Sequence, residues 1–311
     1  TNTVTFMVNG EEYATQEVSY NESLTTSKIS EPGYIFYGWD FNNEPITKDT
    51  VINAIVKECK FEPTTFNNSE NVYGSNIWTD SKNIYYSSTE LEYVLDKETN
   101  TWDEKTWNIN GIYAEYIWNA EENTFFNDAN KSYKLNIELG EWEEVEWHYL
   151  VGGTPIPYNF YGNAVRKING NYYYLSNKSV FLLDTQNLTL KKVSSEDISS
   201  TFPGGSFASS YWTDGVNLYH SNGTSNQYIY NFELEIWEET NWNILVNGKY
   251  VWNCGQNTYY SNGNEQYILD VDTGNWIENG WMGIIGLEKD KVWTDGTNIY
   301  YSNGSEQYVL V

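Results

Sequence analysis

At 311 residues the chain has room for two domains, and 43 acidic against 17 basic side chains give it a net charge of −26. That balance excludes nucleic acid and anionic membrane as partners, because phosphate contacts need a basic patch. No apolar run approaches the ~20 residues that span a bilayer, so no membrane insertion is expected within this chain. The chain begins at Thr1 rather than methionine, the expectation for a processed chain whose signal or anchor lies outside it.

Residues 1–58 read as a separate small β unit. Val4-Thr5-Phe6 and Val18-Ser19-Tyr20 alternate like strands, and Ile52-Asn53-Ala54-Ile55-Val56 closes the segment. Between them stands Pro32-Gly33-Tyr34-Ile35-Phe36-Tyr37-Gly38-Trp39, with Asp49 shortly before the closing strand. This pattern resembles the Listeria–Bacteroides repeat, a β-grasp-like module of bacterial surface proteins. The resemblance implies an extracellular spacer or adhesive module. Gly33, Gly38 and Trp39 are expected only to build a turn and a small core.

Residues 59–311 carry a repeat. Thirteen of the fourteen tryptophans fall on one grid. Trp78, Trp118, Trp212, Trp252 and Trp293 open units; Trp102, Trp142, Trp237 and Trp276 follow 24 or 25 residues later. Trp107, Trp147, Trp242 and Trp281 come five residues after those. A period near 40 is the signature of a propeller or solenoid. Val292-Trp293-Thr294-Asp295-Gly296, recurring as Tyr211-Trp212-Thr213-Asp214-Gly215, joins two short Tyr/Ile-rich runs. Asp-Gly between such runs predicts a hairpin, with both turn residues at positive φ in a type I′ turn. Each unit therefore reads as four antiparallel strands, with the tryptophans wedged between units.

A hidden unit lies between Trp118 and Trp212. Val165-Arg166, Tyr173-Tyr174, Phe181 and Asp184 keep the spacing, Arg166 standing for the opening Trp and Leu190 for the second. That makes six units. The last stops after its third strand, while Phe61 and Phe66 repeat the five-residue spacing ahead of unit one. A strand at 61–67 is thus expected to pair antiparallel with 307–311 and close a ring, which removes both unpaired edges. A solenoid has no use for such a strand. Asp96-x-x-Thr99-Asn100-x-Trp102 resembles the second half of a Kelch repeat. The likeness covers residues 60–311 and implies a six-bladed β-propeller that binds proteins or glycans. The Gly-Gly that usually ends the second strand is replaced by Ser-Asn-Gly, so the chain is Kelch-like at most.

The chemistry-bearing residues are sparse. The two histidines, His148 and His220, lie in no zinc spacing, and His220 takes the place of the second Tyr in a Tyr-Tyr pair. One arginine is too few for a sialidase-like site, and paired carboxylates stay open as a glycosidase alternative because Asp and Glu are abundant. The Thr-Asp-Gly-x-Asn turns offer fewer oxygens than the about six to eight that Ca²⁺ takes. No cofactor or metal is expected. Cys59 and Cys254 are expected at different radii of a disc, hence as free thiols.

The repeat breaks at two long links, 148–163 and 194–211, that flank the third unit. Loops on a rigid scaffold are where binding concentrates. Their aromatics Tyr149, Tyr158, Phe160, Tyr161, Phe202 and Phe207, with Arg166, are the candidate binding residues. They are expected to be partly exposed and close together, and Arg166 to pair with a carboxylate or reach the loop-rich face. The expected function is extracellular recognition of a surface glycan or protein, on a bacterial cell surface or a phage particle. The alternatives are a carbohydrate-active enzyme and a structural decoration protein. The 17% aromatic content, with abundant Asn, Asp and Thr, suits an exported setting.

Overall fold

The computed structural model describes residues 1–64, 72–99, 101–176, 179–194, 208–263, 265–280 and 282–311. The protein is mainly β, built as one N-terminal sheet followed by six further sheets that remain separate from one another. Among the described residues no helix is long and apolar enough to cross a membrane.

The N-terminal sheet runs in the order Glu11–Val18, Asn2–Val8, Thr50–Glu58, Tyr34–Trp39, with its central pair parallel. Alternation does the work here: Val4, Phe6 and Val8 point to the buried face of one strand, and Val4 and Phe6 meet Val18, Leu24, Ile46 and Ile52 in a small core. Trp39 packs edge-on against Phe6 at 4.9 Å and Phe36 at 5.4 Å. Gly38, at φ 138°, takes the irregular step that lets Trp39 turn inward.

The signature segment does more than form that turn and core. Its backbone docks on the fifth of the following sheets. Asn257 accepts from the Phe36 N–H at 2.7 Å and donates to the Ile29 carbonyl at 2.7 Å. Asn279 accepts from the Gly33 N–H at 2.9 Å, and the Tyr259 hydroxyl donates to the Tyr34 carbonyl at 2.6 Å. Asn257 and Asn279 are buried polar groups whose partners come from the other unit.

The six repeat sheets follow the tryptophan grid. Their first strands are Ile77–Thr79, Ile117–Ala120, Val165–Ile168, Tyr211–Thr213, Val251–Cys254 and Val292–Thr294. In five of them the opening Trp faces an aromatic on the second strand, from 4.1 Å for Trp212–Tyr219 to 5.0 Å for Trp252–Tyr259. Arg166 holds the equivalent register opposite Tyr173. The indole N–H of Trp78, Trp212 and Trp293 donates to Ser87, Ser221 and Ser302 at 2.8, 2.9 and 2.8 Å. In these three repeats the hydroxyl residue nine positions on supplies the acceptor that a buried indole N–H favours, whereas Trp252 makes no such bond to Ser261. Leu190 pairs with Leu183 as Trp142 pairs with Leu135, so the hidden third repeat is in register.

Apolar clusters join each sheet to the next, and Trp293 of the sixth packs with Ile84 and Leu95 of the first. The sixth sheet takes its fourth strand from the start of the chain: Phe61, Glu62 and Pro63 pair antiparallel with Leu310, Val309 and Tyr308. Phe66 and Asn67 lie outside the described residues. The short strand Val72–Tyr73 adds to the second strand of the same sheet.

Two expectations need correction. The Asp-Gly turns have positive φ only at their first central residue, 92° at Gly215 and 91° at Gly296. The aspartate itself organises the turn. Asp295 accepts from the N–H of Thr297 and Asn298 at 2.8 and 2.6 Å and from the Tyr300 hydroxyl at 2.9 Å. Asp80 and Asp214 repeat the arrangement. The link 148–163 is not only loop. His148–Val151 and Thr154–Pro157 form a hairpin that adds to the third sheet, parallel to Thr189–Lys192. Pro155 and Pro157 sit on its outer edge, where missing N–H groups discourage further pairing.

Candidate functional site

Each link into a repeat ends in a single 3-10 turn directly before the first strand. These turns are Gly74–Asn76, Ala114–Tyr116, Gly162–Ala164, Ala208–Ser210, Gly248–Tyr250 and Lys289–Lys291. Each touches the next, and the sixth touches the first. Gly74, Gly162 and Gly248 open three of these turns where one turn packs against the backbone of another. A methyl group on Gly74 would overlap the Lys291 carbonyl oxygen, and one on Gly248 would lie 2.7 Å from the Ser210 oxygen.

The turns surround a cavity of about 1200 Å³ bordered by residues of all six sheets. Ser88 and Thr89, between second and third strands of the first sheet, also border it, so it lies at the loop-rich face. Its charged walls are Glu115, Arg166, Lys249, Glu288, Lys289 and Asp290. Lys289 occupies the position that is Gly or Ala in the other five turns. Its ammonium donates to the carbonyls of Ser209, Tyr211 and Gly248, each at 3.0 Å. Arg166 donates to the carbonyls of Asn163 and Val165 at 2.7 and 2.8 Å, and to the same Tyr211 carbonyl at 3.4 Å. Both side chains lie deep in the molecule yet keep part of their surface open.

Burial pulls the Arg166 guanidinium down to about 10. Burial, then repulsion from Arg166, depresses the Lys289 ammonium well below its ordinary value, against weaker opposition from Asp290. Burial pushes the Glu288 carboxyl up, but hydrogen bonds from Lys249 and Lys291 outweigh it and hold it low. Lys249 and Lys291 lie 2.9 and 3.2 Å from the two Glu288 oxygens.

Tyr149 and Tyr158 come together, 5.9 Å between ring centroids, and share one apolar cluster with Phe160. Arg166 borders the cavity. Tyr149 and Tyr158 are half-buried against Phe181, at 5.6 and 6.0 Å, in the extended third sheet. Phe160 is a core residue, 1% exposed, packed on Trp147 and Tyr174 at 5.3 and 4.9 Å. It plugs the gap between second and third sheets and offers no binding face. Tyr161 is 47% exposed beside Tyr116. Phe202 and Phe207 lie outside the described residues. Sequence reasoning missed Lys289. Its signal was present: a small residue stands four positions before every opener except Trp293.

His220 is buried in the second strand of the fourth sheet, 5.0 Å from the Tyr211 ring, and burial lowers it to about 4. Cys59 and Cys254 are free, but they share one apolar cluster rather than separate radii. The docked N-terminal unit brings the segment before the closing strand onto the fifth sheet. Burial pushes both thiols up, away from the reactive thiolate. Among the described residues no group of three His, Cys, Asp or Glu side chains is placed to hold a metal ion.

No family model and no curated protein matches the chain. Among solved structures it is similar to the extracellular domain of a "putative one component system" from B. thetaiotaomicron. Identity is 10% and the TM-score 0.46, over 86% of this chain and 46% of that one. The chain thus spans less than half the length of that structure.

Proposed function

We propose that residues 59–311 form a closed six-bladed Kelch-like propeller that recognises a surface glycan through its central cavity, in an extracellular setting on a bacterial cell or phage particle. The N-terminal unit is then a β-grasp-like module of the Listeria–Bacteroides type. Closure is supported by the cycle of contacts among the six 3-10 turns and by the Phe61–Pro63 strand in the sixth sheet. The observation that carries the function is the cavity itself. About 1200 Å³ bordered by all six sheets suits a short oligosaccharide better than a flat protein surface. Serine, threonine and asparagine residues border it together with Trp118, Trp212 and Trp252, a mixture that suits hydroxyl-rich ligands.

The site thereby moves from the third-sheet hairpin to the cavity. A glycan array and a cell-retention assay decide between them. Tyr113 and Asn76 border the cavity, and Tyr113 is exposed. The double variant Tyr113→Ala, Asn76→Ala is expected to lose retention while Tyr161→Ala keeps it. The reverse pattern would sink the cavity assignment. Glu115, Glu288 and Asp290 on the same walls favour a second reading, a carbohydrate-active enzyme, which predicts release of shortened sugars from the bound glycan.

A further inference from the structure

We propose that Cys59, Cys254 and Met282 form a site for a soft monovalent metal ion of the copper(I) class. The site lies at the joint between the N-terminal unit and the fifth repeat sheet, and it is independent of the cavity and of glycan recognition.

The first observation is where the sulfur lies. The chain has only two cysteines and two methionines. Three of these four residues meet in one buried cluster, Cys59, Cys254 and Met282 being 3, 5 and 1% exposed. They come from three places in the chain. Cys59 stands between the strands Thr50–Glu58 and Phe61–Pro63, Cys254 ends the first strand of the fifth sheet, and Met282 follows its fourth. The Cys59 thiol donates to the Met282 thioether at 3.4 Å. Cys254 is near enough for a charge on one thiol to be felt at the other, and both are felt at the Tyr259 hydroxyl.

The second is an unsatisfied donor aimed at that sulfur. Asn279 is 4% exposed, and its side-chain oxygen accepts from the Gly33 N–H at 2.9 Å. Its amide nitrogen finds no acceptor among the described residues. The amide lies beside Cys59, where it favours the thiolate. Leaving a buried N–H without an acceptor is costly. A metal-bound thiolate at Cys59 supplies the acceptor, and a donor of this kind is what orients a metal ligand from behind.

The third is a prepared backbone. The Cys59 N–H donates to the Gly33 carbonyl at 2.8 Å. The Met282 N–H donates to the Gln266 side chain at 2.6 Å, and its carbonyl accepts from the Phe61 N–H at 2.8 Å. Both main chains are held, while the unbranched thioether can still adjust. Two metal–sulfur bonds of about 2.3 Å at a trigonal angle span about 4 Å, so the Cys59 and Met282 sulfurs need part by only about half an ångström.

The fourth is the donor set. Zinc takes four ligands from cysteine, histidine and carboxylate, and among the described residues no His, Asp or Glu joins the two cysteines in such a group. Thiolate with thioether is a soft set that selects copper(I) and turns away hard cations. On binding, both thiol S–H bonds break, each sulfur bonds to the ion, and two protons pass to water. One ion and two thiolates leave a single negative charge, which Lys57, whose charge reaches Cys254, offsets. Cys59 belongs to the segment joining the two units, so the ion fastens the N-terminal unit to the fifth sheet.

The test uses the full chain, reduced and free of oxygen, with copper(I) as the probe and manganese(II) as the hard control. Binding is read by competition against a chromogenic copper(I) chelator, and stability by melting temperature. One copper(I) per chain and a raised melting temperature are expected, with manganese(II) producing neither. Met282→Leu conserves volume and so keeps the fold, and it is expected to weaken copper(I) at least about tenfold. Met7→Leu, which alters the one sulfur outside the cluster, is expected to change nothing. Should Met282→Leu fail to fold, Cys254→Ser supplies the same comparison. No binding by the reduced chain overturns the proposal. Binding that Met282→Leu and Cys254→Ser both leave intact reduces the site to one cysteine and overturns it too. So does a count of no free thiols in denaturant that reductant restores to two, since Cys59 and Cys254 would then form a disulfide.

Discussion

Gly74→Ala probes whether the first and sixth sheets meet in solution. Gly74 opens the turn ahead of the first repeat, and it packs on the last turn, 217 residues further along the chain at Lys291. A methyl group there would overlap the Lys291 carbonyl oxygen, with the carbonyl carbon at 2.5 Å and Cα at 2.7 Å. Carbon atoms in contact sit about 3.5–4.0 Å apart, so one turn must retreat by about 1 Å. Every obstructing atom is backbone, so no side chain can swing away. Overpacking of this kind costs about 1–3 kcal/mol. In a protein of this size that lowers the melting temperature by about 2–12 °C. If the sheets formed an open row, Gly74 would face solvent and the sign would reverse. Alanine would then stabilise by about 0.4–1 kcal/mol, through the lower entropy of the unfolded chain. Gly162→Ala supplies the internal reference, because its methyl group would overlap the Tyr116 oxygen between the second and third turns, which are neighbours in either arrangement. Scanning calorimetry of both variants decides the matter. A Gly162→Ala protein that is destabilised beside a Gly74→Ala protein that is not would refute the closed cycle.

Phe61→Ala removes a 2%-exposed side chain from the cluster that holds the closing strand, and about 3–5 kcal/mol of stability should go with it in urea unfolding. Asn257→Ala leaves the Phe36 N–H and the Ile29 carbonyl buried without their partner; a loss of about 1–3 kcal/mol is expected, and unchanged stability would mean the N-terminal unit is not docked. His220 has its pKa lowered to about 4 from an ordinary 6.5, so the unfolded chain binds the extra proton and stability falls as pH drops from 6.5 towards 4. That loss is on the order of 3 kcal/mol, and His220→Phe, which copies Phe126 of the second sheet, should flatten this part of the pH profile.

The repeat was legible because each opening tryptophan is both a spacing mark and part of an apolar cluster between sheets. Trp78 and Trp293 announce their strands within one residue, and even the third repeat could be placed through Arg166, Tyr173 and Asp184. The hairpin at His148–Val151 was not legible. It forms because Thr189–Lys192 offers an unpaired edge far along the chain, while its own two prolines read locally as loop. The turns were read correctly as turns, with the wrong geometry: Asp-Gly admits two turn types, and the side-chain bonds of Asp295 to the residues after it select one. The candidate site was legible at Arg166 alone. Phe160 misled because an aromatic in a long link looks the same whether it faces solvent or plugs a core. Lys289 was overlooked because the small residues that make it anomalous carry no chemistry of their own.

The strand Phe61–Pro63 finds its partner at Leu310, 249 residues later. Closing a loop of that length costs on the order of 5 kcal/mol of chain entropy before any contact rewards it. Folding that depends on so distant a pairing is slow, and until it occurs Glu306–Leu310 presents a bare strand edge. During synthesis this state lasts until the receiving strand Glu306–Leu310 emerges. Five repeats can assemble one upon another as they appear, each covering an apolar face of the last. The sixth waits, and with it the first, so the interval before the two ends join is when this protein is most exposed to pairing with a neighbour instead of with itself.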